Sequence, residues 1–209
     1  MKRLVLVLVL VGCQDDISTP FPPGLEPFAD DAENQTLDDT VVEALTVKST
    51  DDPMIMVYGR GFLFASPAES YAVTHDPEVM LAACSTTSHA VDNANQPEYE
   101  LSFLVSYFVD NILDVSWDDQ WRGDVVVGSL EDPGLVMIKH QKTEGSDFIS
   151  LSEGTVQLLA TDDPAVTEVR FVEHLDALMA SEADVIAGMQ SNYDRMLAVV
   201  HGNPIPSCP

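Results

Sequence analysis

Alternating apolar and polar residues between Tyr99 and Trp121 constrain the fold of this chain more than any other feature. One parity is apolar, whereas the other carries mostly Asp, Glu and Ser. The apolar positions are Tyr99, Leu101, Phe103, Val105, Tyr107, Val109, Leu113, Val115, Trp117 and Trp121. A period of two is typical of a strand with one buried and one hydrated face. Because about 23 residues exceed a normal strand, we expect a turn or bulge near Asp110 and Asn111, and therefore antiparallel hairpins.

Further short apolar segments predict a sheet of about six or seven strands. Met54–Ala65 is too short for an ordinary helix because Gly59 and Gly61 interrupt it. Other strands are expected at Gly123–Val127, at Leu135–Gln141, at Phe148–Ala160 with a break near Glu153 and Gly154, and at Val166–Leu175. Residues 41–49 favour either an edge strand or a short helix. Residues 85–97 are polar and predict a loop.

Three helices are predicted around these strands. Ser66, Pro67 and Glu69 have the pattern of a capping box directly after the first strand, and Asp76 begins a second short helix. A long amphipathic helix begins after Ser181 and ends near Gly202. Its apolar stripe comprises Val185, Ile186, Met189, Tyr193, Met196, Leu197 and Val200. Gly188 in mid-helix costs about 1 kcal/mol relative to Ala, which indicates a close approach or a bend.

The first sixteen residues, MKRLVLVLVLVGCQDD, are typical of a secretory signal. Lys2 and Arg3 precede an apolar core that is too short to span a bilayer, since a spanning helix needs about 20 apolar residues. The end of this core, Leu10–Cys13, resembles the lipobox of bacterial lipoproteins. The resemblance implies a signal peptide over residues 1–12, lipid attachment at Cys13 and anchoring in the cell envelope. Gln14, directly after this cysteine, favours the outer membrane. The alternative to a lipoprotein signal is an ordinary signal peptide that contains a cysteine.

The remaining chain divides into a tether, one domain and a short tail. Residues 13–40 are rich in Pro and acidic residues and predict an extended tether. Residues 41–203 are long enough for a single domain with its own core, and residues 204–209 form a C-terminal tail. Cys84 and Cys208 are the cysteines left after Cys13. A disulfide between them is as well supported as its absence.

Charge and motif content argue against several function classes. With 9 basic and 35 acidic residues, the chain has a net charge of -26, which disfavours binding to nucleic acids. The five histidines stand singly, without the spacing of metal ligands, so we predict no metal or cofactor. The sequence contains no Gly-x-Ser-x-Gly elbow or phosphate-binding glycine loop, and we therefore assign no catalytic residue.

The order of the predicted elements resembles the START-like superfamily, also called SRPBCC or helix-grip. The segments GRGFLFASPAESYAVTHDPEVM and EGTVQLLATDDPAVTEVRFVEHLDAL resemble that family's first strand with its paired helices and its late hairpin. The resemblance covers roughly residues 54–202. It implies an α+β fold in which a curved antiparallel sheet wraps a long C-terminal helix, with two short helices after the first strand. The matching motifs are patterns of residue type, so they imply more about fold than about function.

The resemblance also implies an apolar cavity beneath the last helix that binds a small hydrophobic or lipid-like molecule. The candidate ligand-binding residues are Phe62, Phe64, Phe103, Tyr107, Trp117, Trp121, Arg122, Phe171, Ile186, Met189, Tyr193 and Met196. Arg122 is the candidate for fixing an anionic head group. The membrane is expected to be a partner through the lipid anchor only. Two alternatives stay open: a structural or interaction lipoprotein with a filled core and, less favoured, a cyclase- or hydrolase-like enzyme.

Overall fold

The fold is given by a computed structural model that describes residues 15–81, 84, 86–93, 96–110 and 114–207. Within these ranges the chain forms nine β-strands, three α-helices and one 3-10 helix. The strands are β1 Asp16–Ser18, β2 Leu45–Thr50, β3 Ile55–Leu63, β4 Ser88–Asp92, β5 Leu101–Val109, β6 Val115–Gly128, β7 Pro133–Ser146, β8 Ile149–Ala160 and β9 Thr167–Ala177. The helices are α1 Pro67–Thr74, α2 Pro77–Met80 and α3 Glu182–Val200, and the 3-10 helix is Asp31–Thr36.

The strands of the described ranges form one antiparallel sheet. Its order is β2-β3-β9-β8-β7-β6-β5-β4, and β1 pairs with the end of β7. The sheet curves around the long helix α3, and the two short helices α1 and α2 follow β3. The predicted α+β helix-grip architecture is therefore confirmed.

Helix α3 packs closely against the concave face of the sheet because two residues of β3 that face it are glycines. A Cβ atom on Gly59 would lie 2.6 Å from Met189 Sδ, and one on Gly61 would lie 3.0 Å from the ring of Tyr193. The Tyr193 hydroxyl donates a hydrogen bond to the backbone oxygen of Phe62 at 2.7 Å. Glycines in this strand thus allow close approach of the helix, and the apolar stripe of α3 closes the core.

Several segments differ from the sequence-based predictions. Residues 88–92, predicted as a loop, form the edge strand β4, whose burial alternates residue by residue. Residues 45–50 form the edge strand that was one of two alternatives for this region. β6 runs without interruption and includes the segment predicted as a separate strand at 123–127. β8 likewise runs through Gly154 without the predicted break. The strands β1, β2 and β4 raise the number of strands above the six or seven expected.

The N-terminal segment, residues 15–40, packs on the convex face of the sheet. β1 pairs with residues 144–146 of β7, and the 3-10 helix contacts β3 and β9. The ring of Phe28 lies 4.4 Å from Lys139 Nζ, a distance typical of a cation–π contact. Residues 15–36 are therefore not an extended tether, because strand pairing and aromatic contacts hold this acidic, Pro-rich segment on the sheet, and the division into tether, domain and tail stays a prediction.

Three predictions concern residues that the structure does not describe. The signal peptide and Cys13 lie in residues 1–14, outside the described ranges, and Cys208 also lies outside them. Cys84 takes part in a disulfide, but its pairing with Cys208 stays a prediction. In the described ranges, no helix has both the length and the hydropathy needed to cross a membrane.

Candidate ligand-binding cavity

A cavity of about 430 Å³ lies between the concave face of the sheet and α3. It reaches the surface at the loop between β9 and α3, where the lining residues Leu178 and Met179 are 69% and 61% exposed. Phe148 in the β7–β8 turn, Val109 at the end of β5 and Val115 at the start of β6 also line the cavity. Ligand pockets commonly have volumes of about 300–1,000 Å³, so the cavity is large enough for a small molecule.

Stacked aromatic rings form the apolar wall of the cavity. Tyr107 and Trp117 pair across β5 and β6 with ring centroids 5.0 Å apart. Trp121 stacks on Phe103 at 5.6 Å in the same strand pair and on His140 of β7 at 4.2 Å. These rings meet because side chains of one parity share a face of the sheet and neighbouring strands are only about 4.8 Å apart. The wall is therefore built into the strand register.

Three ionisable side chains converge beside this wall. His140 Nδ1 lies 3.1 Å from Asp119 Oδ2, and His140 Nε2 lies 2.8 Å from Glu173 Oε1. His140 and Asp119 are almost fully buried, whereas the side chain of Glu173 is 20% exposed. All three residues line the cavity. We call Asp119, His140 and Glu173 the inner histidine cluster.

Gly154 makes room for the inner histidine cluster. It lies opposite His140 in the β7–β8 ladder and opposite Glu173 in the β8–β9 ladder. A Cβ atom at this position would overlap His140 Nε2 and would lie 2.6 Å from Glu173 Oε1. On the β6 side of His140, the register between β6 and β7 shifts between Asp118 and Asp119. A glycine and a strand irregularity therefore bring the two carboxylates to one imidazole.

Burial and the neighbouring carboxylates act on His140 in opposite directions. Burial disfavours the charged ring, but the charges of Glu173 and Asp119, and the hydrogen bonds that they accept, outweigh it. Together they raise the pKa of His140 well above its ordinary value. The two contacts suit the protonated ring, which donates one N–H group to each carboxylate. It has no remaining donor for a ligand, and the cluster carries a net charge of about -1.

Two further polar atoms in the cavity lining lack a hydrogen-bond partner among the described residues. They are the indole Nε1 of Trp121 and the carboxamide Oδ1 of Asn192 on α3. Asn192 is only 7% exposed. Buried polar atoms in proteins normally have a partner. These two atoms therefore mark positions at which a bound molecule can accept or donate a hydrogen bond.

Most of the predicted ligand-binding residues lie on the concave side of the sheet, but only some border the cavity. Those that line it are Tyr107, Trp117, Trp121 and Met189. Those that pack in the apolar core around it are Phe103, Phe171, Ile186, Tyr193 and Met196. Spacing predicts which face a side chain occupies, but it does not distinguish side chains that border empty space from those that fill it.

Phe62, Phe64 and Arg122 lie outside the cavity lining, so their predicted place there is wrong. Phe62 and Phe64 have the opposite parity to the inward-facing glycines of β3, and Phe64 is 47% exposed. Arg122 alternates with Trp121 and therefore lies on the convex face, where its guanidinium carbon is 4.1 Å from the ring centroid of Phe21. Arg122 consequently offers no positive charge to a ligand in the cavity.

The three members of the inner histidine cluster were not among the predicted site residues. The sequence nevertheless carries a signal for each of them, because each is a polar residue at an otherwise apolar parity. Asp119 stands between two tryptophans, and His140 and Glu173 each continue a series of inward-facing apolar positions. No group of three or more His, Cys, Asp or Glu side chains in the described part of the chain has the arrangement of a metal site.

Comparisons with known proteins do not show a family. No protein-family model and no curated protein match the sequence. Among solved structures, the lipid transfer and protein localization domain of human StarD13 (DLC2) aligns with a TM-score of 0.49 and 7% identity, over 77% of this chain and 92% of that one. The Zhui aromatase/cyclase from Streptomyces sp. R1128 aligns with a TM-score of 0.43 and 12% identity, over 76% and 93% of the two chains.

A third solved structure, Ara h 8.0201, aligns with a TM-score of 0.43 and 9% identity, over 77% of this chain and 100% of that one. All three scores are below 0.5 and all three identities are low. The helix-grip architecture therefore rests on the sheet and helix of this chain, and no function is taken from the three proteins.

Proposed function

We propose that this protein binds a small, largely apolar molecule in the cavity between the sheet and α3. The observation that supports this function is an opening of about 430 Å³ bordered by stacked aromatic rings. Protein interiors are normally close-packed, with few voids larger than a water molecule. The volume therefore disfavours the alternative of a structural lipoprotein with a filled core.

Extraction of the purified protein with organic solvent, followed by mass spectrometry, tests this function. We expect one apolar compound class to be recovered in proportion to the protein. Trp117 and Trp121 are the two tryptophans of the chain, and both line the cavity. Intrinsic fluorescence therefore reports binding directly, and titration with 2-naphthylmethanol, a neutral apolar probe, should change the emission. A protein that is reproducibly empty and unchanged by the probe contradicts the proposal.

Gly188 provides a matched pair of variants for the same test. It lines the cavity, and a Cβ atom on it would meet nothing within 4 Å, so the close approach predicted for this glycine is wrong. A Gly188→Phe side chain would occupy the cavity and should abolish probe binding. Gly188→Ala should retain binding, and it should stabilise the protein by about 1 kcal/mol because Ala favours the helix.

We further propose that the protein is a lipoprotein anchored through Cys13 in a bacterial cell envelope, in the outer membrane. The lipobox-like end of the signal, Leu10–Cys13, supports this. The test is metabolic labelling of cells with a clickable fatty acid. We expect the label on the wild-type protein and its loss in Cys13→Ser. Equal labelling of the two proteins, or of neither, contradicts the anchor and leaves the cavity function untouched.

An enzyme of the cyclase or hydrolase kind is the second candidate, because three ionisable side chains converge in the cavity. Glu173 is the most exposed of the three and would act as the base. Incubation of the extracted compound with the protein tests this candidate. Conversion that Glu173→Gln abolishes supports an enzyme, whereas recovery of the unchanged compound supports binding alone.

A further inference from the structure

We propose that the cavity selects an organic cation, namely a molecule with an ammonium or similar group on an apolar body. This inference rests on the proposed binding function and specifies the chemistry of its ligand. It follows from the charges of the lining, from the hydrogen-bond acceptors left open there, and from the aromatic wall.

The charged side chains that line the cavity leave an excess of negative charge. Asp119, Glu173 and Asp184 are acidic, and neither Lys nor Arg occurs in the described lining. His140 is the one residue there that can carry a positive charge, and it is held between two of these carboxylates. Lys142 of β7 donates instead to the backbone oxygens of the β7–β8 turn. A carboxylate or phosphate head group would therefore be repelled, whereas a cation would be attracted.

Acceptors for the N–H groups of a cation remain open in the same region. Glu173 contacts His140 through Oε1, which leaves Oε2 to accept from a ligand. Asn192 adds an acceptor from α3, since its buried Oδ1 has no partner among the described residues. Hydrogen bonds to a charged group are stronger than those between neutral groups. The unpaired indole N–H of Trp121 is a neutral donor and suits an additional uncharged oxygen.

The aromatic wall suits both parts of such a ligand. Tyr107 and Trp117 stack beside the part of the cavity that is lined by Val109 and Val115. Their rings provide apolar contact area for the body of the ligand. The negative face of an aromatic ring also attracts a cation that lies within about 6 Å of its centroid. The aromatic wall and the carboxylates of Asp119 and Glu173 thus both favour a positively charged ligand.

Isothermal titration calorimetry at pH 7 with three related compounds tests the proposal. The compounds are 2-naphthylmethylamine, 2-naphthylmethanol and 2-naphthoate, which share one ring system and differ in charge. We expect the amine to bind about tenfold or more tightly than the alcohol, because it adds a charge-assisted hydrogen bond. The naphthoate should bind most weakly of the three.

A pair of variants locates the selectivity. Glu173→Gln removes a carboxylate from the cavity and should lower the affinity for the amine about tenfold, a clearly larger loss than that for the alcohol, which has no charge to lose a partner for. Glu153→Gln is the matched control, because Glu153 also contacts a histidine, His174, but on the convex face. The control should leave the affinities for all three compounds as they are in the wild type. Since the alcohol also reports folding of Glu173→Gln, a lost structure cannot be mistaken for lost selectivity.

The outcomes separate this proposal from the binding function itself. If the alcohol or the naphthoate binds as tightly as the amine, the charge selectivity is overturned and the binding function stands. If Glu173→Gln and Glu153→Gln weaken amine binding equally, the cavity carboxylate is not its source and the proposal also fails. If none of the three compounds binds and extraction recovers nothing, the binding function fails and the selectivity fails with it.

Discussion

Two histidines with similar partners lie on opposite faces of the same sheet. His140 contacts Asp119 and Glu173 in the cavity. His174, on the convex face, lies 3.1 Å from Glu153 Oε1 through Nδ1 and 2.7 Å from Asp30 Oδ2 through Nε2. The two sites lie back to back on the sheet. Glu173 and His174 are consecutive residues of β9 and face opposite sides of the sheet, as do Glu153 and Gly154 of β8. We call Asp30, Glu153 and His174 the outer histidine cluster.

The two clusters differ in the origin of their carboxylates. Asp119 and Glu173 both come from strands in the sheet, so the inner cluster is fixed by register. The outer cluster takes Asp30 from the N-terminal segment, which packs on the sheet through few elements. The ring of Phe28 lies 4.7 Å from that of His174. The same arrangement of groups therefore shapes a cavity on one face and holds a separate segment of chain on the other.

We expect the largest effect on stability from removing the imidazole of His140. In His140→Ala, two buried carboxylates lose the cation between them, and breaking such a buried pair costs about 3–5 kcal/mol. His174→Ala should cost about 1–3 kcal/mol, since its partners are more exposed and can return to water. Urea unfolding at pH 7 measures both values. Equal losses of unfolding free energy in the two variants would contradict this difference between the clusters.

A smaller effect is expected from Gly154→Ala. The new methyl group would displace His140 or Glu173, and overpacking of this kind costs about 1–3 kcal/mol. The variant should also lower the pKa of His140 by separating it from Glu173, while leaving the titration of His174 unchanged. Chemical unfolding and histidine NMR titration measure the two effects. Gly188→Ala is the control for the substitution itself, and a Gly154→Ala protein as stable as that control contradicts the role given to Gly154.

On the outer face, Tyr58→Phe tests how weakly the segment is held. The Tyr58 hydroxyl donates a hydrogen bond to Asp30 Oδ2 at 2.6 Å. Removing it should cost about 1 kcal/mol, and the loss should appear as faster amide hydrogen exchange in residues 28–36. Exchange in β7 and β8 near the cavity should not change. Faster exchange in both regions would mean that the two faces are coupled.

The smallest expected effect is a pH dependence confined to the outer face. Burial lowers the pKa of His174, but hydrogen bonds to Glu153 and Asp30 outweigh it and raise the pKa above 6.5. This stabilisation is complete below pH 6.5 and is lost as the pH rises through the folded-state value. Burial raises the pKa of Asp30, yet the hydrogen bonds with Tyr58 and His174 leave it below 3.8, so that its contribution is lost in acid.

Residues 28–36 should therefore be best protected between pH 3.8 and 6.5. Hydrogen exchange across this range measures the protection, and histidine NMR measures the titrations. The charged groups in contact with His174 are the two carboxylates, and the ring of Phe28 contacts both His174 and Lys139. Both histidines should titrate above 6.5. A histidine that titrates below 6.5 would contradict the contacts given for its cluster.

Sequence patterns predicted the sheet and α3 because both depend on spacing that repeats along the chain. Alternation placed Tyr107, Trp117 and Trp121 on one face, and helical spacing placed Met189 opposite them. The packing of residues 15–40 was not predictable, since it depends on single contacts such as Phe28 on Lys139 and not on a repeat. The inner cluster was missed because Asp119, His140 and Glu173 lie on three strands far apart in sequence, so no repeat along the chain brings them together.

The short strand β1 has a consequence for any molecule that enters or leaves the cavity. If Cys13 carries the proposed acyl chains, only two residues separate it from Asp16, where pairing with Ser146 begins. Three peptide steps span at most about 10–11 Å, so the folded body would rest almost on the lipid headgroups. The mouth beside Phe148 lies at the same end, since Asp147 N donates to Asp15 O. A ligand that moves between the bilayer and the cavity would then cross almost no water.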